Sequence, residues 1–187
     1  YWGFNMRLEN KVAIVTGAAN SVQEDLPGIG GATAWVLARE GAKVLLVDVV
    51  KDRAEETLAM IQEEDGEASV FQADVTNAAD CRRMVDAAVE RFGRVDGLVN
   101  AAADTNRGGL EDTTAEFWDY QFAVNVRAPF LLTQQAVRIM KREKIAGSIV
   151  NILSVAAYCG LDCIMAYSAT KGALSTFTKN VANALRV

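Results

Sequence analysis

Five short apolar runs, each followed by a stretch of helical character, set the strongest constraint on what this chain can fold into. The first, Lys11–Thr16, carries Val12, Ala13, Ile14 and Val15 in a row. A run without alternation is apolar on both faces, as strands covered on both sides of a parallel sheet are. Glycines follow, then a helical stretch from Ile29 to Glu40 that Gly41 ends. The pattern then recurs four times, pairing strand Lys43–Asp48 with helix Asp52–Glu64 and strand Ser69–Ala73 with helix Thr76–Phe92. Strand Val95–Asn100 is followed by a long helix Thr113–Lys141, and strand Ser148–Leu153 by helix Cys163–Arg186. Thr76 and Asn77 are cap candidates, Thr113 and Glu116 have capping-box spacing, and Pro129 should bend or interrupt the long helix. This alternation predicts an α/β fold with a doubly wound parallel sheet and right-handed crossovers. With no fixed-period repeat or linker in sight, one domain over residues 1–187 is expected.

Composition narrows the function classes. Of 187 residues, 51% are hydrophobic, and 19 Lys and Arg against 24 Asp and Glu leave a net charge of −5. No basic block exists to displace counterions, so a nucleic-acid partner is not expected. The apolar runs, such as Val44–Val47, fall far short of a bilayer span, so no membrane partner is expected either. Tyr1–Asn5 has no signal-peptide pattern and reads as a remnant ahead of a start at Met6. Three cysteines, Cys81, Cys159 and Cys163, without a CxxC pair fit a reducing cytoplasm. Histidine is absent, which excludes Ser-His-Asp and Cys-His catalysts and any histidine-ligated metal, and no metal site is expected. Acid-base chemistry near neutrality then falls to carboxylates, lysine or tyrosine.

In a doubly wound sheet, ligands bind beyond the carboxyl ends of the strands, so those ends carry the functional reading. After the first strand come Thr16, Gly17, Ala18, Ala19 and Asn20; Gly28, Ile29, Gly30 and Gly31 open the helix. Glycines there let backbone N–H groups approach a pyrophosphate at a helix N-terminus. Asp48 ends the second strand, where an acid accepts ribose hydroxyls and repels a 2′-phosphate, which favours NAD over NADP. Asp74 follows the third strand, where an adenine edge would lie.

Tyr167 and Lys171 are four residues apart, on one face of the last helix. A free tyrosine ionises near pH 10, and working as a base near neutrality requires about 4 kcal/mol of help. A cation about 4 Å away supplies about that much at an effective dielectric of about 20. Ser154 lies just past the fifth strand, thirteen residues before Tyr167. Asn100, Ala101 and Ala102 end the fourth strand, and Asn125 sits inside the long helix, where asparagine has little helical reason to be.

Together these segments resemble the short-chain dehydrogenase/reductase family, whose fold is Rossmann-like, over almost the whole chain from Arg7 onward. They are Thr16-Gly17 with Gly28-Ile29-Gly30, Asp74-Val75, Asn100-Ala101-Ala102, Asn125, Ser154 and Tyr167-Ser168-Ala169-Thr170-Lys171. The resemblance implies Tyr167 as general acid/base, Lys171 as its cation and a ribose ligand, and Ser154 as holder of the substrate oxygen. It implies Asn125 as holder of a relay water. Gly17, Asn20, Gly28, Ile29 and Gly30 would cradle the cofactor. Asp48 would take the adenosine ribose, Asp74 and Val75 the adenine, and Asn100 and Ala101 the cofactor near the fourth strand, with Tyr167 and Lys171 also touching it. The implied activity is NAD-dependent interconversion of a secondary alcohol and a ketone by a homo-oligomer, dimer or tetramer, built through the two long helices.

Three departures stand out. Ser21–Pro27 interrupts the compact glycine turn and brings Glu24 and Asp25 near the expected pyrophosphate; Pro27 suits a first helical turn, and an outward bulge is expected. Ala103 stands where the family has glycine. The sequence stops at Val187, before further strands, a loop under the nicotinamide and a substrate lid, so an exposed sheet edge and apolar helix face are expected. The rival readings are a cofactor-impaired or truncated member acting as a binding or oligomerisation module, and an NADP-dependent 3-ketoacyl-type reductase. Substrate specificity is expected from residues around Tyr158 and Asp162.

Overall fold

The computed structural model describes residues 6–19 and 28–186. The expectations for Tyr1–Asn5, Asn20 and the Ser21–Pro27 interruption fall outside the described residues. Five parallel strands form one sheet in the order β3-β2-β1-β4-β5. They are β1 Val12–Thr16, β2 Lys43–Asp48, β3 Ala68–Gln72, β4 Gly97–Asn100 and β5 Ser148–Asn151. The order reverses at β1, between β2 and β4, which is the switch point of a doubly wound sheet. The observed strands start and stop within a few residues of the expected ones.

Helices cover both faces. α1 Ile29–Arg39 and α2 Lys51–Glu63 pack on one side; α3 Ala78–Phe92 and α5 Ala128–Arg142 lie on the other. α1 buries Gly30, Gly31, Ala34 and Ala38, a stripe of small residues that lets its backbone come close to the sheet. Ile14, Leu45 and Leu98 meet Met84 and Val85 of α3 and Leu132 and Ile139 of α5 in one core cluster. Val15, Val44 and Leu46 meet Ala34 and Ala38 in the other. Caps follow local chemistry: Asn77 Oδ1 accepts the N–H groups of Ala79 and Asp80, and Gly93, at φ +84°, closes α3.

The long helix is broken, but not at Pro129 itself. α4 Ala115–Phe122 gives way to a π turn, Ala123–Arg127, before α5 begins. A proline ring clashes with the carbonyl four residues earlier, here that of Asn125, and supplies no N–H. The wider turn just upstream relieves both problems and leaves Pro129 in the first turn of α5. The cap also differs: Thr114, not Thr113, accepts the Phe117 N–H, while Thr113 Oγ1 donates to the Gly109 carbonyl. α6 spans Met165–Ala184.

β5 forms one rim of the sheet, and Val150 is 47% exposed there. Beside it a groove of about 540 Å³ runs between α5 and α6, lined by Val137, Met140, Ile145, Ile149, Val181 and Leu185 among others. The open edge and apolar helix face expected from the sequence are both present.

At the opposite end of the strands, buried Asp96 ties β1 to β4. Its carboxylate accepts Arg94 Nε and Nη2 at 2.8 and 2.7 Å and the Val12 N–H at 3.0 Å, with Lys11 Nζ at 3.5 Å. Burial pushes its pKa up, but the Arg94 and Val12 hydrogen bonds and the charges of Arg94 and Lys11 outweigh it and hold the carboxyl below the usual range. A depressed folded pKa gives stability that is full above the unfolded value of about 4 and is lost as pH falls through the folded one. Asp96→Ala is therefore expected to lower stability by about 1–3 kcal/mol at neutral pH, since it strands the Val12 N–H. In urea unfolding, its deficit against the parent should shrink as the pH falls below about 4.

Candidate active site

The rim at the carboxyl ends of the strands is shaped first by two glycines. Gly17 leaves β1 at φ +66°, a conformation side chains with a β-carbon rarely adopt, and a Cβ there would lie 2.6 Å from Ala102 Cα. A Cβ on Gly30 would overlap the Gly17 carbonyl oxygen. The first turn of α1 thus rests backbone to backbone on the end of β1. Gly28 caps that helix without a side-chain bond and no acidic residue lies in its first turn, so among the described residues no side chain takes up its N-terminal N–H groups, the kind of site that favours an anion.

Asp48 fixes the neighbouring wall. One carboxylate oxygen accepts the Ala19 N–H and the other the Val50 N–H, both at 3.0 Å, so the described residues leave each oxygen a lone pair for a further donor. A cleft of about 260 Å³ opens beside it, lined in part by Gly17, Asp48, Asp74, Val75, Ala102 and Asp104. Asp74 is exposed and also shapes its turn, accepting the Thr76 N–H at 2.8 Å. Asn100 Nδ2 donates to Asn151 Oδ1 on the neighbouring strand, while the next segment is held by Ala102 N–H donating to Thr16 Oγ1. Among described non-glycine residues only Asn10, Asp65 and Lys144 have positive φ, so Ala103 needs no glycine geometry.

The π turn presents Asn125, only 1% exposed, to the loop after β4. Its Oδ1 accepts the Asp104 N–H, and its Nδ2 donates to the Asp104 carbonyl and to Thr170 Oγ1. Thr170, one residue before Lys171, donates in turn to the Tyr167 carbonyl at 2.7 Å. Ser154 leaves β5 in extended backbone and accepts the Ala156 N–H on Oγ, keeping its own proton free to donate. Lys171 is 3% exposed; its Nζ donates to the Ile152 carbonyl at 2.7 Å and stands 5.5 Å from the centre of the Tyr167 ring. Burial lowers the Lys171 pKa from the ordinary lysine value.

Asn125, Tyr167 and Lys171 are thus joined through Thr170 and α6, and Ser154 lies two residues from the carbonyl that holds Lys171. Thr170, Asp104, Asn151 and Thr178 are structural partners of the site that sequence reasoning missed. The readable signal was a run of amides and hydroxyls in otherwise apolar strands and helix faces. Tyr158 lies over α6, its hydroxyl 2.8 Å from Ser175 Oγ. The loop after β4 meets the loop before α6 where the Gly108 N–H donates to the Cys163 carbonyl and the Met165 N–H to the Gly108 carbonyl. Among the described residues no helix is long and apolar enough to cross a membrane.

The chain belongs to the short chain dehydrogenase family, whose profile matches residues 11–187. It is similar to a 2-(S)-hydroxypropyl-CoM dehydrogenase from Xanthobacter autotrophicus, 39% identical over 177 residues, or 94% of this chain and 66% of that protein. A D-threitol dehydrogenase from Mycolicibacterium smegmatis is 38% identical over 168 residues, covering 90% of this chain and 62% of that one. The structure of an NAD+-bound xylitol dehydrogenase superposes with a TM-score of 0.87 at 31% identity, over 96% of this chain and 66% of that one. The chain spans less than two thirds of the length of either curated relative.

The glycine contact makes a graded prediction. Gly30→Ala is expected to lower stability by about 1–3 kcal/mol in urea unfolding, because the α1 backbone must lift off β1. Gly28→Ala, whose Cβ would lie 3.5 Å from the Ala19 carbonyl oxygen, should change it far less.

Proposed function

We propose that this chain forms the dinucleotide-binding and proton-transfer parts of an NAD-dependent dehydrogenase that interconverts a secondary alcohol and a ketone. The observation that carries the reading is the buried Lys171 ammonium, which stands 5.5 Å from the centre of the Tyr167 ring and is held by the carbonyl of Ile152, two residues before Ser154 in the chain. A cation beside the ring favours the phenolate, and a charge pair 5.5 Å apart is worth about 3 kcal/mol at an effective dielectric of about 20.

In this reading, Ser154 donates its free proton to the substrate oxygen and holds it. Tyr167 takes the hydroxyl proton during oxidation and returns it during reduction, while Lys171 stabilises the charge left on the phenol. A bound nicotinamide supplies or accepts the hydride. Asn125 holds the Asp104 loop against Thr170; a relay water would use the second lone pair of its Oδ1 or its main-chain carbonyl. Gly17, Gly28, Ile29 and Gly30 offer the pyrophosphate a main-chain cradle, and Asn20 is assigned to the cofactor with them. Asp74 and Val75 border the adenine, and Asn100 acts through the main chain leading to Ala101. Asp48, held from both sides, accepts ribose hydroxyls and opposes a 2′-phosphate, which favours NAD and counts against the NADP-dependent ketoacyl-type reading. The NAD+ in the similar xylitol dehydrogenase is in keeping with this.

Exposed Trp118 and Tyr120 on α4 and Phe130 on α5, the last edge-on to Phe177 of α6, supply the apolar faces for a homo-oligomer. Unpaired Cys81, Cys159 and Cys163 suit a reducing cytoplasm.

Tyr167→Phe is expected to cut turnover by a factor of roughly a hundred to ten thousand and leave NADH affinity nearly intact. Undiminished turnover would rule out the mechanism. Titration of NADH fluorescence separates the enzyme from a cofactor-free binding module: the enzyme predicts saturable quenching or enhancement, tighter for NADH than NADPH, and the module predicts none.

A further inference from the structure

Between the sheet rim and α6 runs a chain of amides and hydroxyls that neither the cofactor cleft nor the proton-transfer pair uses. Asn100 and Asn151 are direct partners in the β4–β5 register, so their side chains leave the sheet side by side. Asn100 Nδ2 donates to Asn151 Oδ1 at 2.8 Å, and Asn151 Nδ2 donates to Thr178 Oγ1 at 2.9 Å. Thr178 Oγ1 closes the chain on the Leu174 carbonyl at 2.7 Å. Asn100 is buried, and its Oδ1 has no partner among the described residues. A buried amide oxygen left unmet works against stability, so stability alone gives no reason for an amide here.

The position of this chain supplies a reason. The residue after Asn151 is Ile152, whose N–H donates to the Asn100 carbonyl and whose own carbonyl receives Lys171 Nζ. The end of β5 and the residue after it therefore grip α6 twice, at Thr178 and at Lys171. Those residues are seven apart, two turns along one helix face, or about 10 Å of rise. Two grips at that separation fix both the rotation and the axial height of a helix; a slide of one residue would move Lys171 by about 1.5 Å and turn it by about 100°.

We infer that Asn151, bracing Thr178 against Asn100, is a positioning residue that holds α6 at the height and rotation at which Lys171 meets the Ile152 carbonyl beside Tyr167. Its functional weight rests on reading Tyr167 and Lys171 as the proton-transfer pair; its structural content does not. The test is amine acylation of the full chain, followed at Lys171 by mass spectrometry in Thr178→Val, Thr178→Ser and Asn151→Leu variants. Exposed Lys179 on the same helix reports reagent strength, and buried Cys81 on α3, followed by thiol labelling, reports global opening. Thr178→Val and Asn151→Leu are expected to speed modification of Lys171 by about fivefold, the change that losing the Asn151–Thr178 hydrogen bond, the one both variants share, produces at about 1 kcal/mol. Lys179 and Cys81 should keep their parental rates, and Thr178→Ser, which retains the hydroxyl, should behave as the parent does. Equal Lys171 rates in Thr178→Val and the parent would overturn the inference. So would a rise at Cys81 matching that at Lys171, which would reduce the network to general stability. In turnover assays the same Thr178→Val should lower kcat between about tenfold and a hundredfold with KM little changed. Loss of activity in Tyr167→Phe without any effect of Thr178→Val would refute the positioning role alone, whereas an active Tyr167→Phe would refute the chemistry while leaving the labelling result to judge the brace.

Discussion

All five strands run parallel in register, and that single constraint places everything else. Thr16 of β1 pairs with Val47 and Asn100, and Asn100 pairs with Asn151, so β2, β1, β4 and β5 end at one common rim. Chain segments far apart in sequence are delivered there side by side: the Gly17 turn, Asp48, the Ala101–Asp104 loop and the Ile152–Ser154 exit. The buried apolar strands that force this arrangement contribute no chemistry. They act as a jig, and the polar residues just beyond their ends are the candidate working parts.

Two different devices hold those parts. On the β1–β2 side the contact is backbone on backbone, Gly30 against Gly17, with Asp48 stitching the glycine turn to the start of α2. On the β4–β5 side it is side-chain amide against backbone and hydroxyl, through Asn125, Thr170, Asn151 and Thr178. Among the described residues, the first device puts no side chain over the N–H groups that open α1. The second packs a lysine out of water and aims it. A buried network of this kind specifies geometry more than it adds stability.

Much of this was legible in the sequence, for identifiable reasons. VAIVT and KVLLVD read as buried strands because each centres on a short, unbroken run of apolar and β-branched residues, and on a helix the spacing of Tyr167 and Lys171 puts them on one face. The break in the long helix was visible in Pro129, yet its position was not. The clash falls on the Asn125 carbonyl, and the helix answers by widening upstream rather than bending at the ring. Asn125 stood out as an asparagine in a helix, but its partner Asp104 could not be found, because the bond runs to the backbone of a loop whose path depends on tertiary packing. Asn100 was read as a cofactor residue from the family resemblance. Its side-chain bond to Asn151 could not be foreseen, because Asn151 is its registered neighbour on β5 and register is settled by pairing that no local pattern encodes.

The central claim is that one rim of strand ends holds a dinucleotide along its glycine side and delivers it to Tyr167, Lys171 and Ser154. A crystal structure of the chain with NADH tests this most directly. The account predicts the pyrophosphate at the N–H groups of Gly28–Gly30, the adenosine ribose on Asp48, and the nicotinamide ribose on Lys171 with the ring opposite Ser154 and Tyr167. Density for the dinucleotide at any other surface, or a Lys171 that stays on the Ile152 carbonyl with no ribose within hydrogen-bond reach, would contradict it.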